Sequence, residues 1–309
     1  MTSGALSPGA LLTVLMLLLP GILSARASTG RTAAPLVVGA VQFAVSEETY
    51  RSMESFRRAV ENSLNHLEAE AAVTGTGCPL NLAVFPEYTS AFCGLSFLHP
   101  GEIRALAADP AAEAVLINRA LKKAEPEIIS MWSEIARERG YAILAGTALV
   151  LSPEDRIRNR AMLFSPEGNL IWTQDKVFPG APEIDILKLE TGEISDARPF
   201  EINGRRIVTT ICRDTYHGEW ETYLPEADLW IDIKANELPF SRAYYDEALS
   251  RRLPESPTDA GLTVSLSGNI LGFSFSGPTE FLKDNGNETE IITSTDPYRK
   301  NTVLLVTIR

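Results

Sequence analysis

Apolar runs of strand length alternate along this chain with longer segments in which apolar residues recur every three to four positions. LVVGAVQFAV (36–45) predicts a buried strand, and residues 50–73 predict a long amphipathic helix. NLAVFPEY (81–88) is typical of a strand stopped by its proline. Residues 111–139 predict a second long helix, for which Gly140 provides a C-cap.

The same alternation continues to the end of the chain. YAILAGTALV (141–150) predicts a strand, and an SPEG turn joins residues 158–166 to residues 169–176 in a hairpin. Further strands are predicted over 205–212, 228–235, 269–277, 278–283, 289–295 and 301–309, and helices over 218–227 and 239–253. Strands interleaved with helices of this length predict an α/β protein whose sheets are covered by helices.

The N-terminal segment has the composition of an export signal. The apolar run LLTVLMLLLPGIL closes in SARAS, where Ala25 and Ala27 fit the small-residue rule for signal peptidase. We therefore expect a cleaved signal peptide over residues 1–27, a single domain over residues 28–309, and a secreted or periplasmic protein. A retained N-terminal anchor is the alternative. No later segment is apolar enough to cross a bilayer.

The charge and the scattered histidines exclude several classes of partner. A formal net charge of −12 disfavours nucleic acid and anionic membrane surfaces. His66, His99 and His217 make no metal-ligand spacing with acidic or thiol partners, and glycine-rich phosphate loops are absent from the sequence. We expect neither a metal nor a cofactor.

Three cysteines remain to be explained: Cys78, Cys93 and Cys212. In an exported protein an odd count suggests one pair and one free, reactive thiol. Cys78 and Cys93 are close enough in sequence to form a disulfide, although sequence alone leaves open whether they do. That pairing would leave Cys212 as the free thiol.

Three predicted strands end in an unusual polar residue: Glu87, Lys176 and Cys212. Each has an ordinary structural explanation when it is taken alone, because cysteines often fill cores and charged residues often end strands. Together they meet the needs of nucleophilic catalysis. A thiolate attacks, a carboxylate moves the proton, and an ammonium group stabilises the oxyanion. We expect the pKa of Cys212 to be lowered by Lys176 or by the start of the helix at Gly218.

The sequences around these residues resemble the motifs of the carbon–nitrogen hydrolase (nitrilase) superfamily. The matching segments are VGAVQF, FPEY around Glu87, DKVF at Lys176, ICRD around Cys212 and GFSFSGPTEF. Their order and spacing also agree, from about Leu36 to the C-terminus. The resemblance implies a four-layer α-β-β-α sandwich of the nitrilase type, usually paired as a homodimer through helices near the nucleophile.

The resemblance also implies roles for individual residues. Cys212 would carry an acyl- or thioimidate-enzyme, Glu87 would act as general base and then acid, and Lys176 would stabilise the oxyanion with the amide N–H of Arg213. A second glutamate that positions the substrate and the lysine would be Glu183, with Glu190 as the rival. Tyr88, next to the base, is expected to contact the substrate.

Substrate recognition departs from the better-known branches of the superfamily. RDTYHGEW follows the nucleophile, and IKANELPF would line the pocket. Asp214, Tyr216, His217 and Glu237 either shape this pocket or belong to a charged, solvated loop. The leading interpretation is a thiol-dependent hydrolase acting on a small-molecule amide or nitrile. An amide-forming acyltransferase and a catalytically silent secreted binding module are the alternatives.

Overall fold

The computed structural model describes residues 34–309, apart from 75–77, 106–109, 186, 238 and 287. The predicted signal peptide lies outside the described residues. Among the helices within these ranges, none is long and apolar enough to cross a membrane.

The strands alternate with helices in the first two thirds of the chain and follow one another near its end. The strands are β1 (Leu36–Gln42), β2 (Ala44–Val45), β3 (Leu82–Val84), β4 (Ala142–Leu151), β5 (Ile157–Phe164), β6 (Leu170–Asp175), β7 (Phe200–Ile202), β8 (Arg205–Ile211), β9 (Leu229–Lys234), β10 (Ala260–Ser265), β11 (Ser267–Ile270), β12 (Phe273–Phe275), β13 (Glu280–Asp284), β14 (Thr289–Ser294) and β15 (Thr302–Ile308).

Two helices are long and the others are short. The α-helices are α1 (Met53–Thr74), α2 (Pro100–Ala105), α3 (Pro110–Arg139), α4 (Ala181–Asp185), α5 (Glu219–Tyr223), α6 (Arg242–Asp246) and α7 (Leu249–Arg252). Short 3₁₀ segments are formed by Ala91–Phe97, Ile194–Asp196, Cys212–Tyr216 and Leu253–Glu255.

Two six-stranded sheets form the centre of the molecule. The first has the order β15-β1-β3-β4-β5-β6 and the second β14-β13-β10-β9-β8-β7, while β12-β11-β2 make a small third sheet. In the first sheet β1, β3 and β4 run parallel, and in the second β8, β9 and β10 do. The loops that follow these strands therefore gather at one edge of each sheet.

The burial pattern of the strands explains the layers. In β1, Leu36, Val38 and Ala40 pack into the core between the two sheets, whereas Val41 packs with the residues of α1 and α3. In β9 the alternation is the same: Leu229, Ile231 and Ile233 face the other sheet. Trp230 packs in a separate cluster with residues of α5 and α7. Strands buried on both faces require helices outside both sheets, which confirms the predicted α-β-β-α sandwich.

Three predicted elements were wrong in detail. The strand expected over 36–45 is divided at Phe43 into β1 and β2, which belong to different sheets. The helix expected over 239–253 is divided into α6 and α7, because Ala248 between them has ψ of −123° and leaves the helical region. The strand expected over 269–277 is a hairpin of β11 and β12, which turns at Leu271 and Gly272 with φ of 50° and 83°. The same segment thus pairs with itself instead of extending one sheet.

The two cysteines considered for a disulfide are not bridged in the structure. Cys93 is a fully buried free thiol. Burial raises its pKa well above the usual value, so it stays protonated at neutral pH. The thiol of Cys93 therefore acts as a small apolar group of the core under α3.

Candidate active site

Three strand ends converge on one site between the two sheets. Lys176 directly follows β6, Cys212 directly follows β8, and Glu87 lies three residues beyond the end of β3. Because β5 reverses the chain between β4 and β6, the carboxyl ends of β3 and β6 lie at the same edge of the first sheet. Backbone geometry, rather than a long loop, thus brings the predicted acid, base and thiol together.

The carboxylate of Glu87 is completely buried and has polar contacts on both oxygens. Its Oε1 accepts from Lys176 Nζ at 2.7 Å and from Asn159 Nδ2 at 2.9 Å, and its Oε2 accepts from the backbone N–H of Ala235 at 3.0 Å. Burial raises the pKa of Glu87, and the charge of Glu183 raises it further, while Lys176 opposes both effects. This carboxyl group is suited to both accept and return a proton.

Lys176 holds a second carboxylate beside the first. Its Nζ donates to Glu183 Oε1 at 2.8 Å, while Glu183 Oε2 accepts from the N–H of Gly180 at 2.6 Å and its Oε1 accepts from the hydroxyl of Tyr88. Burial alone would raise the pKa of Glu183, but Lys176, Tyr88 and Gly180 hold it below the usual value. Burial likewise disfavours the ammonium, yet the surrounding negative groups raise the pKa of Lys176.

The backbone of Cys212 is in the left-handed region, with φ of 51°. This conformation is rare for a residue with a side chain, and it turns the chain sharply from β8 into a short 3₁₀ segment. The residue next to Glu87, Tyr88, also has a positive φ, of 62°. Both candidate reactive residues thus sit at tight, strained turns where a strand has just ended.

The expectation of a lowered pKa at Cys212 was wrong. Burial and the nearby charge of Glu87 raise the pKa to about 12, against the opposing charges of Lys176 and Lys234. The segment after Cys212 is a single 3₁₀ turn, which has too few aligned peptides for a strong dipole. The thiol is therefore neutral at rest. Its Sγ lies 4.0 Å from the backbone carbonyl oxygen of Ala235, and its nearness favours the charged form of Glu87.

Asp214 ties the loop of the lysine to the loop of the thiol. Its Oδ1 accepts from the backbone N–H groups of Val177 and Phe178 at 3.1 and 2.7 Å, and its Oδ2 faces the N–H of Ile211 at 3.3 Å. The side chain is completely buried, and burial raises its pKa to about 7. Asp214 thus has a positioning role, and it does not line the cavity described below.

A second buried ion pair lies behind the thiol. Lys234 Nζ is 3.0 Å from Asp232 Oδ2, and both side chains are almost completely buried. The ammonium lies 4.6 Å from the ring centroid of Tyr216 and 5.5 Å from that of Tyr245. The carboxylate of Asp232 faces the backbone N–H of Cys212, so this pair supports the turn that carries the thiol.

An apolar cavity of about 570 Å³ opens beside the site. Most of its wall is aliphatic or aromatic, and its polar lining comes from Tyr88, Glu183 and Glu237. Glu237 is exposed at this wall, and partial burial together with the charge of Glu183 raises its pKa. The expected pocket residues Tyr88 and Glu237 and the second glutamate Glu183 therefore share one cavity.

Other predicted residues lie outside this cavity. The side chain of Arg213 is exposed, and Glu190 pairs with Arg158 at 2.6 Å instead of approaching Lys176. His217 stacks on Phe178 with ring centroids 3.8 Å apart. Tyr216 stacks on Tyr244 at 5.2 Å. In the described ranges, no cluster of histidine, cysteine and acidic side chains is arranged to hold a metal ion.

Sequence reasoning missed Asn159, Asp232 and Lys234. Asn159 occupies a buried position of β5 and donates to both carboxylates, to Glu183 at 3.4 Å. A signal was present, because Asp232 and Lys234 stand two residues apart in an otherwise apolar strand and must share one face. A charged pair of opposite sign on a buried face indicates a paired, desolvated site.

The family of the chain follows from a sequence comparison. The family model for carbon–nitrogen hydrolases matches residues 38–244, a range that includes Glu87, Lys176 and Cys212. The chain belongs to the carbon–nitrogen hydrolase family, as the motifs predicted. Comparison with curated protein sequences finds no match.

Solved structures of one amidase have the same fold. A mutant of the amidase from Nesterenkonia sp. AN1, which shows Michael addition of acrylamide at its active-site cysteine, has a TM-score of 0.61 with 17% identity over 88% of this chain and 92% of that chain. Another mutant, with the acetamide moiety of fluoroacetamide added at the cysteine, has a TM-score of 0.61 with 16% identity over 88% and 90%. A further mutant is described as a member of the nitrilase superfamily and has a TM-score of 0.61 with 17% identity over 88% and 90%. At this identity, the similarity establishes the fold alone.

Proposed function

We propose that this carbon–nitrogen hydrolase cleaves the amide bond of a small molecule through an acyl-enzyme on Cys212. The observation that carries the proposal is the ammonium of Lys176, held 2.7 and 2.8 Å from two buried carboxylates beside a strained cysteine. An ammonium group fixed in this way can stabilise the negative charge that develops on a substrate oxygen, because it does not have to move during the reaction. The Nesterenkonia amidase, whose active-site cysteine is modified by acrylamide and by fluoroacetamide, supports the same class of reaction.

Acylation begins with a neutral thiol. Glu87 takes the proton from Cys212 as the sulfur forms a bond to the amide carbon, and the carbonyl electron pair moves onto oxygen. Lys176 Nζ and the backbone N–H of Arg213 stabilise this oxyanion. The C–N bond then breaks, and the departing nitrogen takes the proton from Glu87, which leaves a thioester and a free amine or ammonia.

Deacylation reverses the proton path. Water takes the place of the amine, and Glu87 accepts a proton from it as its oxygen attacks the thioester. The C–S bond breaks, the thiolate recovers the proton, and a carboxylic acid leaves. Glu183 and Asn159 keep Glu87 and Lys176 in position through both steps, which favours Glu183 over Glu190 as the second glutamate.

The proposal is tested by intact-mass analysis during turnover. The mature protein is incubated with short amides, N-carbamoyl amino acids, pantetheine and nitriles while released ammonia or amine is measured. We expect an acyl adduct that maps to Cys212 and is absent from Cys212→Ser. Product release without any adduct in wild type would overturn the acyl-enzyme, and the absence of both across the panel would favour a silent binding module.

We also propose a homodimer and export through the signal peptide over residues 1–27. The family resemblance supports the first and the composition of the N-terminal segment supports the second. Light scattering of the mature protein tests the oligomer, since a monomeric mass would contradict it. Sequencing of the N-terminus of the protein recovered from outside the cytoplasm tests the cleavage site.

A further inference from the structure

The cavity beside the site has a clear division between an apolar body and a polar end. Phe92 and Leu95 line it from one side, Ile117 and Leu121 from α3, and Phe275 from β12. Its volume of about 570 Å³ lies within the range of sites that enclose small organic ligands. These walls offer few partners for a polar group, so a ligand that fills the cavity must be largely apolar.

The rim of the cavity also indicates an apolar occupant. Leu271 and Phe273 line the cavity, yet 45% and 39% of their surfaces are exposed. Both lie in the β11–β12 hairpin, where Leu271 has a left-handed backbone. Apolar side chains gathered at the mouth of an apolar cavity gain stability when a ligand covers them.

The polar end of the cavity is continuous with the candidate catalytic residues. Tyr88 and Glu183 line it, Tyr88 donates to Glu183, and Glu183 accepts from Lys176 Nζ at 2.8 Å. A molecule whose apolar part fills the cavity therefore presents its polar group toward Lys176. The cavity thus adjoins the reactive groups through Tyr88 and Glu183, while Glu87, Lys176 and Cys212 do not themselves line it.

We propose that this cavity binds the acyl portion of the substrate, and that the substrates are primary amides of apolar monocarboxylic acids of medium chain length. This inference rests on the proposed function. The acyl group remains on Cys212 while the amine leaves and water enters. The amine and water are polar and need a polar route, whereas the apolar cavity suits the acyl group.

The lining of the cavity also restricts the far end of the acyl group. The two charged residues of its described lining, Glu183 and Glu237, are both acidic, so this lining offers no cation to pair with a carboxylate there. The apolar body would also remove the water shell of a terminal carboxylate without replacing it. Acyl groups that end in a carboxylate are thus excluded along with short ones that leave the cavity empty.

Four amides test the inference directly. Octanamide and N-hexylacetamide are isomers; the first carries the apolar chain on the acyl side and the second on the amine side. Acetamide lacks the chain. Suberamic acid has the chain, but the chain ends in a carboxylate. Each buried methylene is worth about fourfold in kcat/KM. We expect octanamide to exceed acetamide by at least about 100-fold, and to exceed N-hexylacetamide and suberamic acid by at least about tenfold.

A bulky substitution on α3 tests the location. Ile117→Trp places an indole in the cavity, whereas Val115→Trp adds the same group two residues away, where Val115 is 68% exposed. We expect Ile117→Trp to lower the ratio of octanamide to acetamide kcat/KM by about tenfold or more, and Val115→Trp to leave the ratio unchanged. Ile117→Phe is the milder second variant if the melting temperature of Ile117→Trp falls sharply.

The outcomes separate this inference from the proposed function. If acetamide acylates Cys212 but octanamide has no advantage, or if N-hexylacetamide is preferred, the cavity assignment is overturned and the hydrolase stands. An unchanged ratio in folded Ile117→Trp also overturns it. If none of the four amides gives an adduct or a product while another member of the wider panel acylates Cys212, the acyl site is overturned and the hydrolase stands. If the wider panel also gives neither, the proposed function fails and the acyl site fails with it.

Discussion

Two lysines are almost completely buried near the thiol, and they differ in what surrounds them. Lys176 is 4% exposed and contacts two carboxylates, Glu87 and Glu183. Lys234 is 2% exposed and contacts one carboxylate, Asp232, beneath the rings of two tyrosines. The first cluster carries excess negative charge beside a cavity, whereas the second is neutral and enclosed.

Under the proposed function, this difference distinguishes a reactive cluster from a supporting one. A neutral, enclosed pair can hold a backbone turn in place, but it has no access to a substrate and no spare charge to move a proton. A cluster of two carboxylates and one ammonium next to a cavity has access to a substrate and a spare charge that can move a proton. Burial of a charge therefore does not identify the catalytic site unless the charge balance and the access are also considered.

The largest expected loss of activity comes from removing the thiol that both clusters face. Cys212→Ala should lower kcat/KM for amides by at least about 10⁴-fold, because the proposed acyl-enzyme forms on this sulfur. The melting temperature should stay close to wild type. Cys78→Ala is the matched control and should retain activity; residual turnover in Cys212→Ala within tenfold of wild type would remove the thiol from the mechanism.

Replacing each lysine by methionine tests the role of each cluster separately. Lys176→Met should lower kcat by about 10²- to 10³-fold through loss of the oxyanion contact, and it should also destabilise the fold, because Glu87 and Glu183 stay buried without their cation. Lys234→Met should act mainly on stability, because it leaves Asp232 buried and unpaired, at a cost of about 3–5 kcal/mol in the free energy of unfolding. Urea unfolding and steady-state kinetics measure both effects.

The matching double variants provide the control. Asp232→Leu with Lys234→Met removes both charges and should recover most of the lost stability. Glu87→Leu with Lys176→Met should stay inactive, because it removes two reacting groups. Recovery of activity in the second pair, or no recovery of stability in the first, would contradict the division of roles.

The negative charge of the first cluster should determine how the reactivity of the Cys212 thiol toward iodoacetamide depends on pH. With a pKa of about 12, Cys212 carries little thiolate at neutral pH, and the thiolate fraction rises about tenfold per pH unit below that value. Labelling by iodoacetamide, mapped to Cys212 by peptide mass, should follow this slope between about pH 8 and pH 10.

The pH profile of labelling in Glu87→Gln tests whether the charge of Glu87 causes this behaviour. Removing the negative charge of Glu87 lowers the pKa of Cys212, because it removes the largest charge effect that opposes the thiolate while those of Lys176 and Lys234 remain. The labelling profile should move to lower pH while amide hydrolysis is lost. A plateau in the wild-type profile near neutral pH would show that the thiolate is already formed at rest.

The smallest effect compares the two candidate second glutamates. Glu183→Gln weakens charged hydrogen bonds to Lys176 and Tyr88 and should lower kcat/KM by about tenfold or more. Glu190→Gln breaks a partly exposed pair with Arg158 and should change stability by less than about 1 kcal/mol, with kinetics unaltered. Equal kinetic effects at both positions would assign the role to neither.

Local sequence was sufficient to predict that each motif residue lies at or shortly after the end of a strand. Glu87, Lys176 and Cys212 come after β3, β6 and β8, and the sheet topology brings them together. The division of the helix over 239–253 was not predictable, because one residue, Ala248, leaves the helical region without any glycine or proline nearby. Tertiary packing determines such a break.

The electrostatics and the cavity required the folded structure. The pKa of Cys212 depends on burial, and burial depends on chain segments far away in sequence. The cavity likewise combines Phe92, Ile117 and Phe275 from three separate segments. Long-range proximity of this kind leaves no local pattern, unlike the Asp232 and Lys234 spacing, which was present in the sequence and was overlooked.

The contact between Glu87 and the backbone of Ala235 has a consequence for how the site comes into being. Glu87 follows a strand of the first sheet, and Ala235 directly follows β9 of the second, with 3.0 Å between Oε2 and the amide nitrogen. Each sheet forms its own hydrogen bonds, but Glu87 gains this partner only when the two sheets are docked. In refolding, activity should therefore not appear before the sheets have docked.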